Sequence, residues 1–243
     1  MFSIDIKKIL LVFLAGYLAS CSIPKTDFEP DKNTLLTIDK GSIIGSNNGN
    51  TYQWLGIQYG SIPDSSYRWK RGAETEKWDG VFEALEFGNT CVQKGSLINT
   101  TKRRNWGDIV GSEDCLYLNV WAPKDVFDDL SQSKPVMVWI HGGSNVSGNA
   151  DFYDPSELVS SQDVIVVSIN YRLGPFGWFR HPDITSTAEN PEDQSGNYGN
   201  IDSIQALEWV QRNIGFFGGD SSNITIFGES AGGYNVAALL SAK

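Results

Sequence analysis

Histidine is nearly missing from this 243-residue sequence: His141 and His181 are the two it holds, which leaves two candidates for any imidazole base. Cysteine is scarce too. Cys21, Cys91 and Cys115 are too few for a disulfide-dense scaffold, and neither Cys91 nor Cys115 has a histidine or second cysteine at zinc-ligand spacing. Lysine and arginine number 19 against 29 aspartate and glutamate, a formal net charge of −10. The basic surface that nucleic acid or an anionic membrane selects is therefore lacking. No apolar run reaches the roughly 18 residues of a membrane-spanning helix. With 40% hydrophobic residues over this length, a sizeable core remains affordable, and nothing suggests more than one domain.

The longest apolar run, residues 9–19, follows Lys7 and Lys8, the layout of a secretory signal over residues 1–20. Leu18-Ala19-Ser20-Cys21 resembles the lipobox of bacterial lipoproteins, which implies cleavage before Cys21 and lipid on that cysteine. The expected place is the cell envelope, with the lipid anchor as the contact to membrane. An ordinary signal peptide with a cysteine near its end is the alternative, and Asp5 sits awkwardly in the basic leader. Residues 21–33, with Pro24 and Pro30, read as a tether, and residues 34–243 as the N-terminal part of one folded domain. In an oxidising compartment Cys91 and Cys115 read as a disulfide closing a loop of about 25 residues, worth up to about 3.5 kcal/mol in the chain-entropy model. Two buried free thiols are the alternative.

Residues 35–38, 42–44 and 51–59 are short β-branched and apolar runs separated by turn residues, which predicts an antiparallel meander. Residues 60–114 are irregular in pattern, with a hint of order at 81–87. From residue 116 the character changes. Strands are predicted at 116–121, 135–140 and 164–169, the second one continuously apolar as if buried on both faces. Helices are predicted at 156–162 and 201–214, and a further strand at 223–227. Alternating strands and helices imply an α/β fold, a mostly parallel sheet with helices on both faces, preceded by the small meander.

The last of those strands runs into Phe227-Gly228-Glu229-Ser230-Ala231-Gly232-Gly233 and then a helix-prone stretch. Gly-x-Ser-x-Gly between strand and helix predicts a sharp turn that exposes the hydroxyl, making Ser230 the candidate nucleophile. The helix start aims the N–H of Ala231 at the same spot, where it can stabilise an oxyanion. His141-Gly142-Gly143-Ser144 closes the 135–140 strand, and its backbone N–H groups could complete that hole. His141 reads as an orienting residue of this loop and His181 as a surface residue. Asp202, Asp220 and Glu229 read as loop or supporting groups. In this architecture the acid and histidine of a triad follow the serine, and residues 231–243 contain no Asp, Glu or His. The expectation is thus the front part of a longer enzyme. The sequons at Asn99, Asn145 and Asn223 read as chance.

Taken in order, these segments resemble the type-B carboxylesterase and cholinesterase family of α/β-hydrolases, from about Leu36 to the last residue. The resemblance is carried by Tyr52-Gln53-Trp54-Leu55-Gly56-Ile57-Gln58-Tyr59, by Glu113-Asp114-Cys115-Leu116-Tyr117-Leu118-Asn119-Val120, by Ser168-Ile169-Asn170-Tyr171-Arg172-Leu173-Gly174 and by Gly196-Asn197-Tyr198-Gly199. Phe217-Gly218-Gly219-Asp220 and the serine motif complete it. It implies Ser230 as nucleophile, with Gly143, Ser144 and Ala231 as oxyanion donors. It also implies a Cys91–Cys115 disulfide, an Arg68–Glu113 ion pair, a small-molecule ester as substrate and no metal or organic cofactor. Three positions depart from the family pattern. Ser144 stands where many members have glycine, Lys70-Arg71-Gly72 lacks a usual proline, and Ser203 replaces a usual glutamine. A non-catalytic binding module of the same fold, or a degenerate product, is the competing reading. Such modules typically lose the nucleophile, which this sequence keeps.

Overall fold

The computed structural model of the protein describes residues 28–96, 106–129 and 131–241. The expected signal, Cys21 and the Asn99 sequon lie outside the described residues. Short strands β1 (Leu36–Thr37), β2 (Ser42–Ile44), β3 (Ser46–Asn47), β4 (Thr51–Gln58), β5 (Val81–Glu83), β6 (Gln93–Lys94) and β7 (Ile109–Val110) come first. The longer β8 (Tyr117–Pro123), β9 (Lys134–Ile140), β10 (Ile165–Ile169) and β11 (Gly219–Gly228) follow. Helix α1 (Ser156–Gln162) joins β9 to β10, helices α2 (Gly174–Gly177), α3 (Pro182–Thr185) and α4 (Tyr198–Asn213) lie between β10 and β11, and α5 (Ala231–Ser241) follows β11.

The main sheet of the described residues has the order β11-β9-β10-β8-β4-β3. β9 pairs in parallel with β10 and β11, while β10 with β8, β8 with β4 and β4 with β3 are antiparallel. Among the described residues the sheet is therefore mixed, and the mostly parallel arrangement is confined to β10, β9 and β11. The cause is the link between β8 and β9, about ten residues and too short for the helical crossover a parallel return requires. β9 runs opposite to β8, and β10 slots between them. The meander is divided as well. β1, β2 and β5 form a separate sheet, whereas β3 and β4 extend the main one.

Period-two alternation sorts the strands onto two helical layers. Val120, Val138, Ile140, Ile165, Val167 and Ile169 point to one face, where they pack with Ala206, Trp209 and Val210 of α4. Val166, Trp121 and Leu55 point to the other, against Val159 of α1. Helices thus cover both faces. The burial expected on both sides of β9 is complete on the α4 face only. Met137 and Trp139 on the other face are half-buried, because α1 lies over β8 and β4.

The tether expected to reach residue 33 ends earlier. Phe28 packs on the α1-side cluster, Pro30 bridges to Ser46, and the Asp31 N–H donates to Gly45 O at 3.0 Å. The irregular 60–114 region is pinned by the Cys91–Cys115 disulfide, whose Cα atoms are 5.0 Å apart and whose cysteines are both buried. Arg68 adds a two-pronged ion pair, Nε donating to Glu113 Oε2 at 2.8 Å and Nη2 to Oε1.

Candidate active site

β9 and β11 are parallel neighbours in which Ile140 stands opposite Gly228, so the turns that follow them emerge side by side. The β11 turn is tight. Ser230 has φ 55°, the left-handed region that costs a non-glycine residue about 1 kcal/mol or more. Its side chain is exposed and α5 begins at the next residue. Two glycines make the turn possible. A methyl group on Gly232 would lie 2.0 Å from Ile140 O, and one on Gly228 would lie 2.6 Å from Gly232 C. Both distances are far inside van der Waals contact with fixed backbone. Helix and strand therefore meet without a side chain between them, which lifts the Ser230 hydroxyl clear.

The β9 turn carries His141, Gly142, Gly143 and Ser144. A methyl group on Gly142 would sit 2.8 Å from Glu229 O and 3.2 Å from Ser230 Cβ, so this loop is pressed against the serine turn itself. Gly143 has φ 104°, and its carbonyl accepts the N–H groups of Val146 at 3.1 Å and Ser147 at 3.0 Å. Ser144 keeps the N–H that a glycine would offer and adopts the glycine-like conformation at φ 57°. The backbone N–H groups of Gly143, Ser144 and Ala231 have no acceptor among the described residues. They form a local concentration of unspent donors beside an exposed hydroxyl, reinforced by the N-terminal end of α5.

His141 is buried under this loop. Its ring stacks on Tyr171 at 4.4 Å, and Nδ1 donates to Gly142 O at 2.8 Å. Burial lowers its pKa to about 4, against a weaker opposing effect from that hydrogen bond, so the ring is neutral at physiological pH. Tyr171 donates its hydroxyl to His141 O at 2.6 Å, and burial pushes its own pKa well up. His141 is thus a brace for the loop. His181 lies elsewhere, exposed, with Nδ1 capping the first turn of α3 through Asp183 N.

The acids also fall into other tasks. Asp202 is buried and paired with Arg172, accepting Nε at 2.8 Å and Nη2 at 2.6 Å. Asp220 accepts from Ser222 N and Oγ on the surface, and Glu229 is exposed beside Gly142. Ser203 is buried, its hydroxyl donating back to Gly199 O at 3.0 Å. Among the described residues, no hydrogen bond links Ser230 to a histidine or an acid, and no group of three or more His, Cys, Asp or Glu is gathered to hold a metal ion. The missing proline near Arg71 has a visible counterpart. The Arg71 N–H, which proline would lack, donates to Asp193 Oδ1 at 2.8 Å.

Several residues that shape the site escaped sequence reasoning. Asn145 and Asn235 exchange side-chain amide hydrogen bonds between loop and helix. Gln93 clamps the far end of the loop, accepting Gly148 N at Oε1 and donating from Nε2 to Gly148 O, both at 2.8 Å. The sequence marks Asn145 only as part of a sequon, and no local pattern marks Asn235 or Gln93.

A match to the carboxylesterase family spans residues 32–243. Among characterised proteins, the para-nitrobenzyl esterase of Bacillus subtilis is 40% identical over 208 residues, covering 85% of this chain and 40% of the relative. The fumonisin B1 esterase of Sphingopyxis macrogoltabida is 36% identical, covering 92% of this chain and 39% of its own length. In solved structures, a thermophilic PNB esterase matches with a TM-score of 0.74 and 40% identity over 86% of this chain and 41% of that one. The Geobacillus stearothermophilus carboxylesterase matches with a TM-score of 0.73 at 38% identity, over 85% of this chain and 40% of that one. The chain thus spans about two fifths of the length of these relatives, and its fold is that of the α/β-hydrolases. The strained serine turn, the glycine loop pressed against it and the family match agree: the chain belongs to the carboxylesterase family.

Proposed function

We propose that this chain supplies the nucleophile and the oxyanion hole of a serine hydrolase that cleaves carboxylic esters. The observation that carries the reading is Ser230, exposed at φ 55°, with the unspent N–H groups of Gly143, Ser144 and Ala231 on the two adjoining turns. Ser230 Oγ attacks the ester carbonyl carbon, and the carbonyl electron pair moves onto oxygen. Those N–H groups stabilise the resulting oxyanion, each worth about 3 to 4 kcal/mol in the transition state. Collapse breaks the bond to the alcohol and leaves the acyl group on Ser230. Water then releases the acid and regenerates the serine. The proton of Ser230 passes to a histidine oriented by an acid, both supplied from outside residues 1–243. The similar proteins are esterases more than twice as long as this segment, which supports that division. No metal or organic cofactor takes part. Cys21 would carry the lipid that holds the enzyme at the cell envelope.

Labelling with a fluorophosphonate probe tests this reading, on the full product of the gene and on the 243-residue chain, each beside Ser230→Ala. Full-length protein is expected to label and the alanine variant not at all. The chain alone is expected to be nearly inert, since losing the triad base costs about a millionfold in kcat in a comparable serine hydrolase. Absence of Ser230-dependent label on the full-length protein would refute the proposal.

A further inference from the structure

The two halves of the oxyanion hole proposed above stand on different elements, Gly143 and Ser144 on the loop after β9 and Ala231 on α5. Their N–H groups serve one oxygen only if the two elements keep a fixed spacing. Ser144 and Asn145 are consecutive non-glycine residues at φ 57° and 59°, so the loop is held in a conformation its own backbone does not favour. The Val146 and Ser147 N–H groups donate to Gly143 O and close the turn itself, so what remains to be fixed is the position of the turn relative to α5. Asn145 Nδ2 donates to Asn235 Oδ1 at 3.3 Å, and Asn235 Nδ2 donates to Asn145 Oδ1 at 3.0 Å. Asn235 is buried and lies one helical turn after Ala231, on the same side of α5. The carbonyl of Asn145 also accepts the N–H of Gly174 at 2.6 Å, fixing the third side of the residue.

We propose that Asn145 and Asn235 are positioning residues for the ester-hydrolase reaction, their reciprocal amide pair setting the distance between the Ser144 and Ala231 donors. The inference rests on the reading of Ser230 as nucleophile. Neither asparagine touches the reacting atoms. Without the pair, the turn keeps its own hydrogen bonds but is no longer tied to α5 through Asn235, and the Ser144 N–H drifts from the oxygen it shares with the Ala231 N–H.

The test uses the full-length protein and a p-nitrophenyl ester. Asn145→Ala and Asn235→Ala are each expected to lower kcat about 10- to 100-fold with KM changed less than about twofold, the pattern of an interaction realised only in the transition state. The double variant should be no worse than the poorer single one. Affinity for a trifluoromethyl ketone, whose adduct places an oxyanion in the hole, should fall in step with kcat. Affinity for the matching unreactive amide should hold. Asn145→Gly adopts the left-handed backbone freely but lacks the amide, and it guards against variants that fail to fold. Loss of kcat in a folded Asn145→Gly protein supports the amide pair, and parent-like kcat overturns it. An active parent whose variants all keep kcat sinks this inference alone. A parent without Ser230-dependent turnover sinks the ester-hydrolase reading and the inference with it.

Discussion

The turn after β11 and the turn after β9 leave the carboxyl ends of adjacent parallel strands and touch each other, yet their shapes are enforced by different means. At the β11 turn the constraint is the absence of side chains, since Gly228 and Gly232 let α5 approach Ile140 O closer than any Cβ would allow. At the β9 turn the constraint is the presence of side chains: buried His141 and Tyr171 beneath the loop, Asn235 at its middle and Gln93 at its far end. Backbone exclusion is rigid and local. A side-chain brace is adjustable, and it draws on residues far apart in sequence. A nucleophile needs the first kind of precision, while a donor loop tolerates substitutions such as Ser144 as long as its brace holds.

The most damaging way to break this comparison is Gly232→Ala. One methyl group must intrude to 2.0 Å of Ile140 O, a backbone atom at the end of β9, so α5 has to move away from the sheet. A loss of about 4 kcal/mol or more is expected, visible as insoluble protein or a collapsed melting temperature. A Gly232→Ala protein that melts like the parent would show that the elbow is softer than its geometry implies.

The brace can be probed through pH. Burial holds the pKa of His141 at about 4, below its ordinary 6.5. Between those values the unfolded chain takes up a proton that the folded chain refuses, so stability falls as pH drops through the window. The loss amounts to about 3 kcal/mol by pH 4 and fades out about one unit above pH 6.5. His141→Gln removes this contribution, and denaturant melts at pH 7 and pH 4.5 should show a shallower decline than the parent. Equal declines would mean that His141 is not held neutral by burial. A smaller effect is expected from Tyr171→Phe. It leaves the buried carbonyl of His141 without its 2.6 Å donor while keeping the ring stack, for about 1 to 2 kcal/mol and a few degrees in melting temperature.

The same division explains what could be read in advance. The strand-turn-helix around Ser230 is a contiguous pattern, and β8 to β11 and α1 follow from local periodicity, so they were legible. The Arg68–Glu113 pair and the Cys91–Cys115 bridge joined residues distant in sequence, and the family resemblance anticipated both. Strand pairing was less accessible. Apolar alternation reports which face is buried, not which neighbour a strand takes, so neither the split of the meander nor the antiparallel β8–β10 pairing was visible. The Asn145–Asn235 tie was hidden for the same reason. Both residues are unremarkable in their own windows, and they acquire a role only once a loop and a helix 90 residues apart are brought together.

Ser144→Gly gives the smallest effect and the sharpest reading of the brace, because two opposing terms nearly cancel. Serine at φ 57° carries a left-handed penalty of about 1 to 2 kcal/mol that glycine escapes. Glycine in turn gives the unfolded chain more freedom, which takes back about 0.5 to 1 kcal/mol. The expected net gain is therefore about 0.5 kcal/mol, a rise of one or two degrees in melting temperature. The N–H of residue 144 survives the change, so kcat should stay within about twofold of the parent provided the Asn145–Asn235 pair still holds the loop. Combining Ser144→Gly with Asn235→Ala then separates strain from positioning. If the brace merely resisted backbone strain, relieving that strain would make Asn235 dispensable and restore kcat. If the brace sets donor spacing, the freed loop wanders further and kcat falls below that of Asn235→Ala alone.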